Sequence, residues 1–218
     1  MSRRHLIISG TGRAGTTALV QLLTYLGLDT GFDRDTCWEV DPIANAGLEL
    51  DATREDSPYV IKSPELVEWL PQALERGITI DCAILPLRDL TLSTQSRVKV
   101  YEEHIRRGTF DALGSPGSLW KTSEPGQQAA ESAQAFYRIL ETLARHEIPT
   151  YLPCYPLMTE DSDYLWRCLE PVWKDHRVNR SAFNQAHYQV MKVRGPSVSM
   201  SQLIMQGKHI RLKQEKTQ

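Results

Sequence analysis

The sequence predicts an α/β fold in three layers, a central and mostly parallel sheet flanked by helices. Three observations carry that expectation. Short apolar runs alternate with longer amphipathic stretches along the chain. The first run is followed at once by a glycine-punctuated turn and a helix. No internal repeat or low-complexity segment interrupts the alternation. Strand–helix alternation of this kind gives parallel sheets with crossover helices, and ligands then sit outside the carboxyl ends of the strands.

The elements follow in order. His5–Ser9 reads as a buried strand, Gly10–Gly15 as a loop, and Thr16–Gly27 as a helix with Leu19, Leu22, Leu23 and Leu26 on one face. Tyr59–Lys62 is a second strand. It ends at Ser63-Pro64-Glu65, which has the composition of a helix start, with Ser as N-cap and Pro in the first turn. The short helix after it is expected to be divided at Pro71. Asp81–Leu87 is a third strand and Leu90–Arg107 a long helix. Residues 108–126 hold Gly108, Gly114, Gly117, Gly126, Pro116 and Pro125, which reads as a loop or lid over a site. Gln127–His146 is an amphipathic helix with Ala133, Phe136, Tyr137, Leu140 and Leu143 in register. Thr150–Tyr155 is a fourth strand and Ser162–Trp173 a further helix; no element is assigned after it.

The bulk properties narrow the function. The chain has 218 residues, formal net charge −2 and a pI near 6.3. One domain spanning residues 1–218 is expected, with no dedicated nucleic-acid-binding role, which would call for a basic surface. The charge is uneven: residues 174–218 carry +7 and the rest −9. Within that basic segment, residues 177–187 mix aromatic and small side chains with the cations and are the part expected to reach an anionic ligand. Cys37, Cys82, Cys154 and Cys168 form no metal-ligand spacing and no disulfide framework, and Cys82 and Cys168 sit in core-like surroundings. No stretch approaches membrane-spanning length, and Leu6–Ile8 is too short for a signal-peptide core, so a cytoplasmic location is expected.

The segment Gly10-Thr11-Gly12-Arg13-Ala14-Gly15-Thr16-Thr17 carries the chemistry. Glycines allow a tight turn in which several N–H groups converge on one anion. The helix N-terminus adds partial positive charge, and Thr16 and Thr17 add hydroxyl donors. Gly10 and Gly15 have the spacing of the P-loop G-x-x-x-x-G-K-[ST], but Thr16 stands where a nucleotide triphosphatase needs lysine. The loop is therefore P-loop-like without being that of a kinase, and its one cation is Arg13.

Gly-Thr-Gly-Arg-Ala-Gly-Thr-Thr resembles the 5′-phosphosulfate loop of sulfotransferases that use 3′-phosphoadenosine 5′-phosphosulfate (PAPS) and release PAP. The resemblance implies that Arg13 touches the oxygen bridging phosphate and sulfonate. Two further matches follow in chain order. Arg88, at a strand end, and Ser96, eight residues on in the next helix, have the spacing of that family's 3′-phosphate site. Lys62, in Val60-Ile61-Lys62-Ser63-Pro64, matches a strand-end lysine that faces the sulfonate. The family uses a His or Glu as base. Among Glu39, Asp41, Glu49 and Asp51 the reading leans to Glu39, with Arg13 and Lys62 as the other catalytic residues. The resemblance covers roughly residues 5–100. It departs from cytosolic relatives in lacking R-K-G-x-x-G, for which His176-Arg177-Val178-Asn179-Arg180-Ser181 is a candidate substitute, and in having Gly12 where they have proline or tyrosine. It implies PAPS as donor, no metal, and a hydroxyl or amine acceptor on a small metabolite, sugar or lipid. Trp38, Trp69, Trp120, Tyr101 and Tyr155 are candidate acceptor-site aromatics. The competing readings are a P-loop nucleotide kinase and a non-catalytic nucleotide-binding protein with a degenerate loop.

Overall fold

A computed structural model describes residues 3–111 and 115–193, for Val193 the backbone alone. Calls on 112–114 and on 194–218, which hold most of the basic segment, lie outside the described residues. The chain runs β1 (Arg4–Ile8), α1 (Thr16–Tyr25), a 3-10 turn (Thr36–Trp38), β2 (Val60–Lys62), α2 (Leu66–Glu75), β3 (Thr79–Ile84) and α3 (Leu90–Arg107). A second 3-10 turn (Pro125–Gln127) leads into α4 (Gln128–Arg145), β4 (Thr150–Tyr151), α5 (Leu157–Glu160), α6 (Ser162–Cys168), α7 (Glu170–Asp175) and α8 (Arg180–Val193).

The four strands form one sheet in the order β2-β1-β3-β4, every pair parallel, as the alternation predicts. Strand alternation divides the core into two faces. Leu6 and Ile8 pack with α1, α6, α7 and α8 on one face, through Leu19, Leu22, Leu23, Leu165, Trp173 and Phe183. Ile7 and Ile61 pack with α2 and α4 on the other, through Leu66, Leu70, Ile139 and Leu143. These two faces give the three layers.

The strand order places the site. The chain leaves β1 towards β2 on one side and leaves β3 towards β4 on the other. The crevice between the carboxyl ends of β1 and β3 is therefore the switch point where parallel sheets bind ligands. Both Gly10–Gly15 and Arg88 emerge there.

Several boundaries differ from expectation for physical reasons. α2 runs unbroken through Pro71 and starts at Leu66. Pro71 is exposed and forfeits one helical bond, while buried Leu66, Leu70 and Ala73 hold the helix down. Ser63 is a hydrogen-bond acceptor for Trp69 Nε1 (2.9 Å) rather than a helix cap. The Ser162–Trp173 helix is two, parted at Leu169 with Pro171 in the first turn of α7. The buried face of α4 is Gln128, Ser132, Ala135, Ile139 and Leu143, and Tyr137 is 69% exposed. α8 had no sequence assignment.

Candidate functional site

The loop after β1 has the backbone of an anion cradle. Gly10, Gly12 and Gly15 have φ of 127°, 71° and 90°, and Arg13, with φ 57°, shares the left-handed region. Such values cost a side-chain-bearing residue energy, so Arg13 is held there by its surroundings. Gly15 caps α1 with no side-chain hydrogen bond. Among the described residues no protein acceptor takes the N–H groups of residues 10–17. Free loop amides beside an uncapped helix N-terminus are what phosphate-type anions bind.

Four cations converge on this loop. Arg13 Nε donates to Ser96 Oγ (3.0 Å), and its Nη1 donates to the Ala44 carbonyl. Arg88 Nη1 donates to the carbonyl of Arg13 (2.8 Å) and its guanidinium stacks on Tyr155 (4.9 Å to the ring centroid). The buried Arg88 Nε has no hydrogen-bond partner among the described residues. Lys62, 5% exposed, donates to Thr17 Oγ1 (2.9 Å) and the Gly47 carbonyl (2.5 Å) and pairs with Glu49 Oε1 (2.9 Å). Arg97, 6% exposed, donates from Nε to Thr11 O (3.1 Å), from Nη2 to the same oxygen, and from Nη1 to Ser118 O (2.5 Å).

Burial depresses the pKa of all four. For Arg13 the neighbouring Arg88 adds to the effect. For Arg97, pushed down to about 10, Arg13 adds to it. Burial also lowers Arg88. Lys62 is lowered by burial, with Glu49 opposing and Arg13 assisting. Mutually repelling, desolvated cations are short of negative charge, and a multiply charged anion among them supplies it.

These groups line a cavity of about 620 Å³, within the range of small-ligand sites. Of the residues predicted from the sequence, Gly10, Gly12, Arg13, Gly15, Thr16, Thr17, Lys62 and Arg88 line it together. Thr11 contributes a carbonyl to Arg97, Ala14 is buried beneath the loop, and Ser96 is held against Arg13. Ser93, one turn before Ser96 on α3, bonds back to Leu90 O within its own helix.

The candidate bases separate. Glu39 is exposed, at the end of the 3-10 turn whose inward place Cys37 takes, and is not among the cavity residues. Asp51 is exposed and accepts from Thr53. Asp41 accepts from Ile43 N and Ala44 N, and lies 4.0 Å from His104 in a separate recess. Glu49 is the one of the four that lines the cavity.

Two loops roof the cavity. Residues 41–49 are tied down by Arg13 at Ala44 and by Lys62 at Gly47 and Glu49. Residues 115–120, part of the expected lid, are tied down by Arg97 at Ser118 and by Trp120 Nε1 on Glu65 (2.9 Å). Of the five candidate aromatics, Trp120 and Tyr155 line the cavity.

The segment 176–181 does not reach this site. His176 Nε2 meets Tyr59 OH (3.2 Å) at the amino end of β2, the opposite edge of the sheet, and Arg180 pairs with Asp163. The expectation for residues 177–187 fails for the same reason: α8 packs along α1, and only Val190 and Met191 near its end line the cavity.

Arg97 was missed in the sequence reading. A signal for it exists, because Ser93, Arg97, Val100 and His104 are the buried stripe of α3, at spacings of four, three and four. An arginine inside a buried helical stripe calls for partners.

Fold and site together define an α/β protein whose strand–loop–helix and convergent cations suit a phosphorylated or sulfated anion. Among the described residues no cluster of His, Cys, Asp or Glu could hold a metal, and no helix is long and apolar enough to cross a membrane. No family model matches the chain, and no curated protein sequence matches it. Among solved structures it is similar to one described as "Sulfotransferase Domain from the Curacin Biosynthetic Pathway", at 15% identity and a TM-score of 0.48, over 84% of this chain and 77% of that one.

Proposed function

We propose that the chain is a sulfotransferase that takes PAPS as donor and sulfates a hydroxyl or amine of a small metabolite, sugar or lipid. The observation that carries this reading is the meeting of loop amides that no described residue engages with Arg13, Arg88 and Lys62 in one cavity, at a loop whose lysine position holds Thr16.

The residues divide the work. The amides of residues 10–17 and the Thr16 and Thr17 hydroxyls hold the 5′-phosphosulfate, with Arg13 at the leaving oxygen. Arg88, stacked on Tyr155 and with an unpaired Nε, holds the 3′-phosphate; guanidinium offers a fork of donors to a dianion. Lys62 neutralises the sulfonate oxygens. The acceptor oxygen or nitrogen attacks sulfur, the sulfur–oxygen bond to the 5′-phosphate breaks, and PAP departs. The acceptor's proton goes to Glu49, the carboxylate beside Lys62. Pre-positioned charge supplies most of the acceleration, as in phosphoryl transfer.

Calorimetry or thermal shift with adenosine 3′,5′-bisphosphate, ADP and Mg-ATP tests the reading. At a hundred times its dissociation constant a ligand stabilises the fold by about 2.7 kcal/mol. The expected outcome is stabilisation by the 3′,5′-bisphosphate that Arg88→Ala abolishes. Preference for Mg-ATP overturns the reading in favour of a kinase. Binding of the bisphosphate with no turnover of PAPS across an acceptor panel leaves a nucleotide-binding protein.

A further inference from the structure

Arg97 has no role in the transfer described above, yet it is the most heavily engaged cation of the site. Two of its nitrogens, Nε and Nη2, donate to one carbonyl, that of Thr11 in the phosphate loop. The third, Nη1, donates to Ser118 O in the roof. Its guanidinium also lies 5.4 Å from the centroid of Trp120, whose indole Nε1 is fixed to Glu65.

Gly12 makes room for this arrangement. A methyl group on Gly12 would stand 2.6 Å from Arg97 Nη2, closer than any real carbon contact. Two things keep the loop bare at this position: a φ of 71°, which a side chain disfavours, and the guanidinium of a neighbouring helix, which occupies the space.

An anion-binding loop must present N–H groups inward and keep its carbonyl oxygens from the anion. A carbonyl already engaged by a guanidinium is neutralised, and Arg97 does this for Thr11 while holding Ser118 with the same planar group. Lysine, a point donor, cannot span both oxygens in that fork.

We propose that Arg97 is a positioning residue that sets the phosphate loop for its anion and locks the 115–120 roof onto it, with Gly12 as its required partner. Its effect on donor affinity rests on the sulfotransferase reading; its effect on loop and roof does not.

The test uses the full chain with Arg97→Lys, Gly12→Ala and the double variant. Hydrogen exchange of the ligand-free protein is read first. Arg97→Lys keeps the charge and loses the fork, and raises exchange at residues 117–120 about tenfold, as expected for a lost charged hydrogen bond, while β1 and β3 amides are unchanged. Trp120 emission, taken as the difference from Trp120→Phe, shifts to the red. Equal acceleration in the sheet, or none in the roof, overturns the proposal. Affinity for adenosine 3′,5′-bisphosphate is read second. Each single variant weakens it about tenfold or more and the double variant by less than the product of the two, because both act through one contact. Strictly multiplicative losses overturn the proposal. If the wild-type chain binds no bisphosphate, the donor reading fails and the exchange result alone decides the role of Arg97; should Arg97→Lys not fold, Gly12→Ala alone must open the same roof amides, and an unchanged roof in it overturns the proposal.

Discussion

Lys62 and Glu49 form the pair on which the proposed chemistry turns, and both can be tested singly. Lys62 is an ammonium buried against two neutral oxygens and one carboxylate, with its pKa below the usual lysine range because burial outweighs Glu49. Two pH effects follow, of opposite sign. Anion binding needs the protonated form, so bisphosphate affinity falls as pH rises through the lowered value. Lys62→Met weakens binding below that value and moves the alkaline limb upward, towards the arginines. The ligand-free fold behaves the other way. The unfolded lysine keeps its proton up to its ordinary value of 10.5, so burying the ammonium costs stability at low pH, and the cost fades as pH climbs from the folded pKa towards that value. Glu49→Gln lowers turnover on the order of 10²–10⁴-fold, the range of a lost general base, while bisphosphate still binds; unchanged turnover removes Glu49 from the reaction. The sequence made Arg13, Lys62 and Arg88 legible because a strand end or a glycine loop fixes where such residues point. It favoured Glu39 over Glu49 because the irregular stretch 26–59 has no period from which an inward face can be read. Arg97 was hidden for a different reason. Its partners are backbone carbonyls at positions 11 and 118, and carbonyls leave no mark on a sequence.

At the scale of elements, α3 runs over the residues predicted and α4 differs by one at each end, because each is long and closed by a clear signal. Gly108, at φ 65° with its N–H on His104 and Ile105, ends α3 in the left-handed conformation that favours glycine. Pro71 was the misleading signal, since a proline breaks a helix only where packing does not hold the helix together. Its ring is exposed and the buried side of α2 is continuous, so Pro71→Ala restores a backbone bond to Val67 without disturbing the core. Pro71→Ala should stabilise the protein by about 2–2.5 kcal/mol, the helix penalty of proline less its entropic benefit in the unfolded chain, as read by denaturant unfolding. The loop before α1 responds in the opposite sense. A methyl on Gly15 meets Met158 Cε at 2.6 Å and Tyr155 Cδ2 at 3.1 Å, on a backbone at φ 90°. Gly15→Ala therefore lowers the melting temperature and, by pushing Tyr155 away from Arg88, weakens bisphosphate binding in the same variant. A melting-temperature loss with unchanged affinity would separate Tyr155 from the ligand.

For the whole molecule, the parallel sheet and its layers followed from strand–helix alternation, whereas the contribution of α8 did not. α8 is mixed in composition, and its apolar positions acquire meaning only against α1 and the other helices of that face. Phe183 is fully buried there, 5.0 Å from Trp173 and 5.2 Å from Trp166 between ring centroids, and His187 Nε2 meets the Met158 carbonyl (3.0 Å). Two turns further along the same helix Val190 and Met191 line the cavity. The aromatic cluster thus anchors one end of a rigid rod, and the other end is part of the cavity wall. Phe183→Ala removes a large buried ring and should cost about 3–5 kcal/mol of stability. It leaves every polar group of the phosphate loop in place. If α8 is held as one unit, calorimetry well below the melting point will show weaker bisphosphate binding in Phe183→Ala, and the same bisphosphate concentration will stabilise the variant less than the wild type. Equal affinity in the two proteins would mean that the wall at Val190 and Met191 is set by the α1 contact alone, and that the aromatic cluster serves the core and not the site.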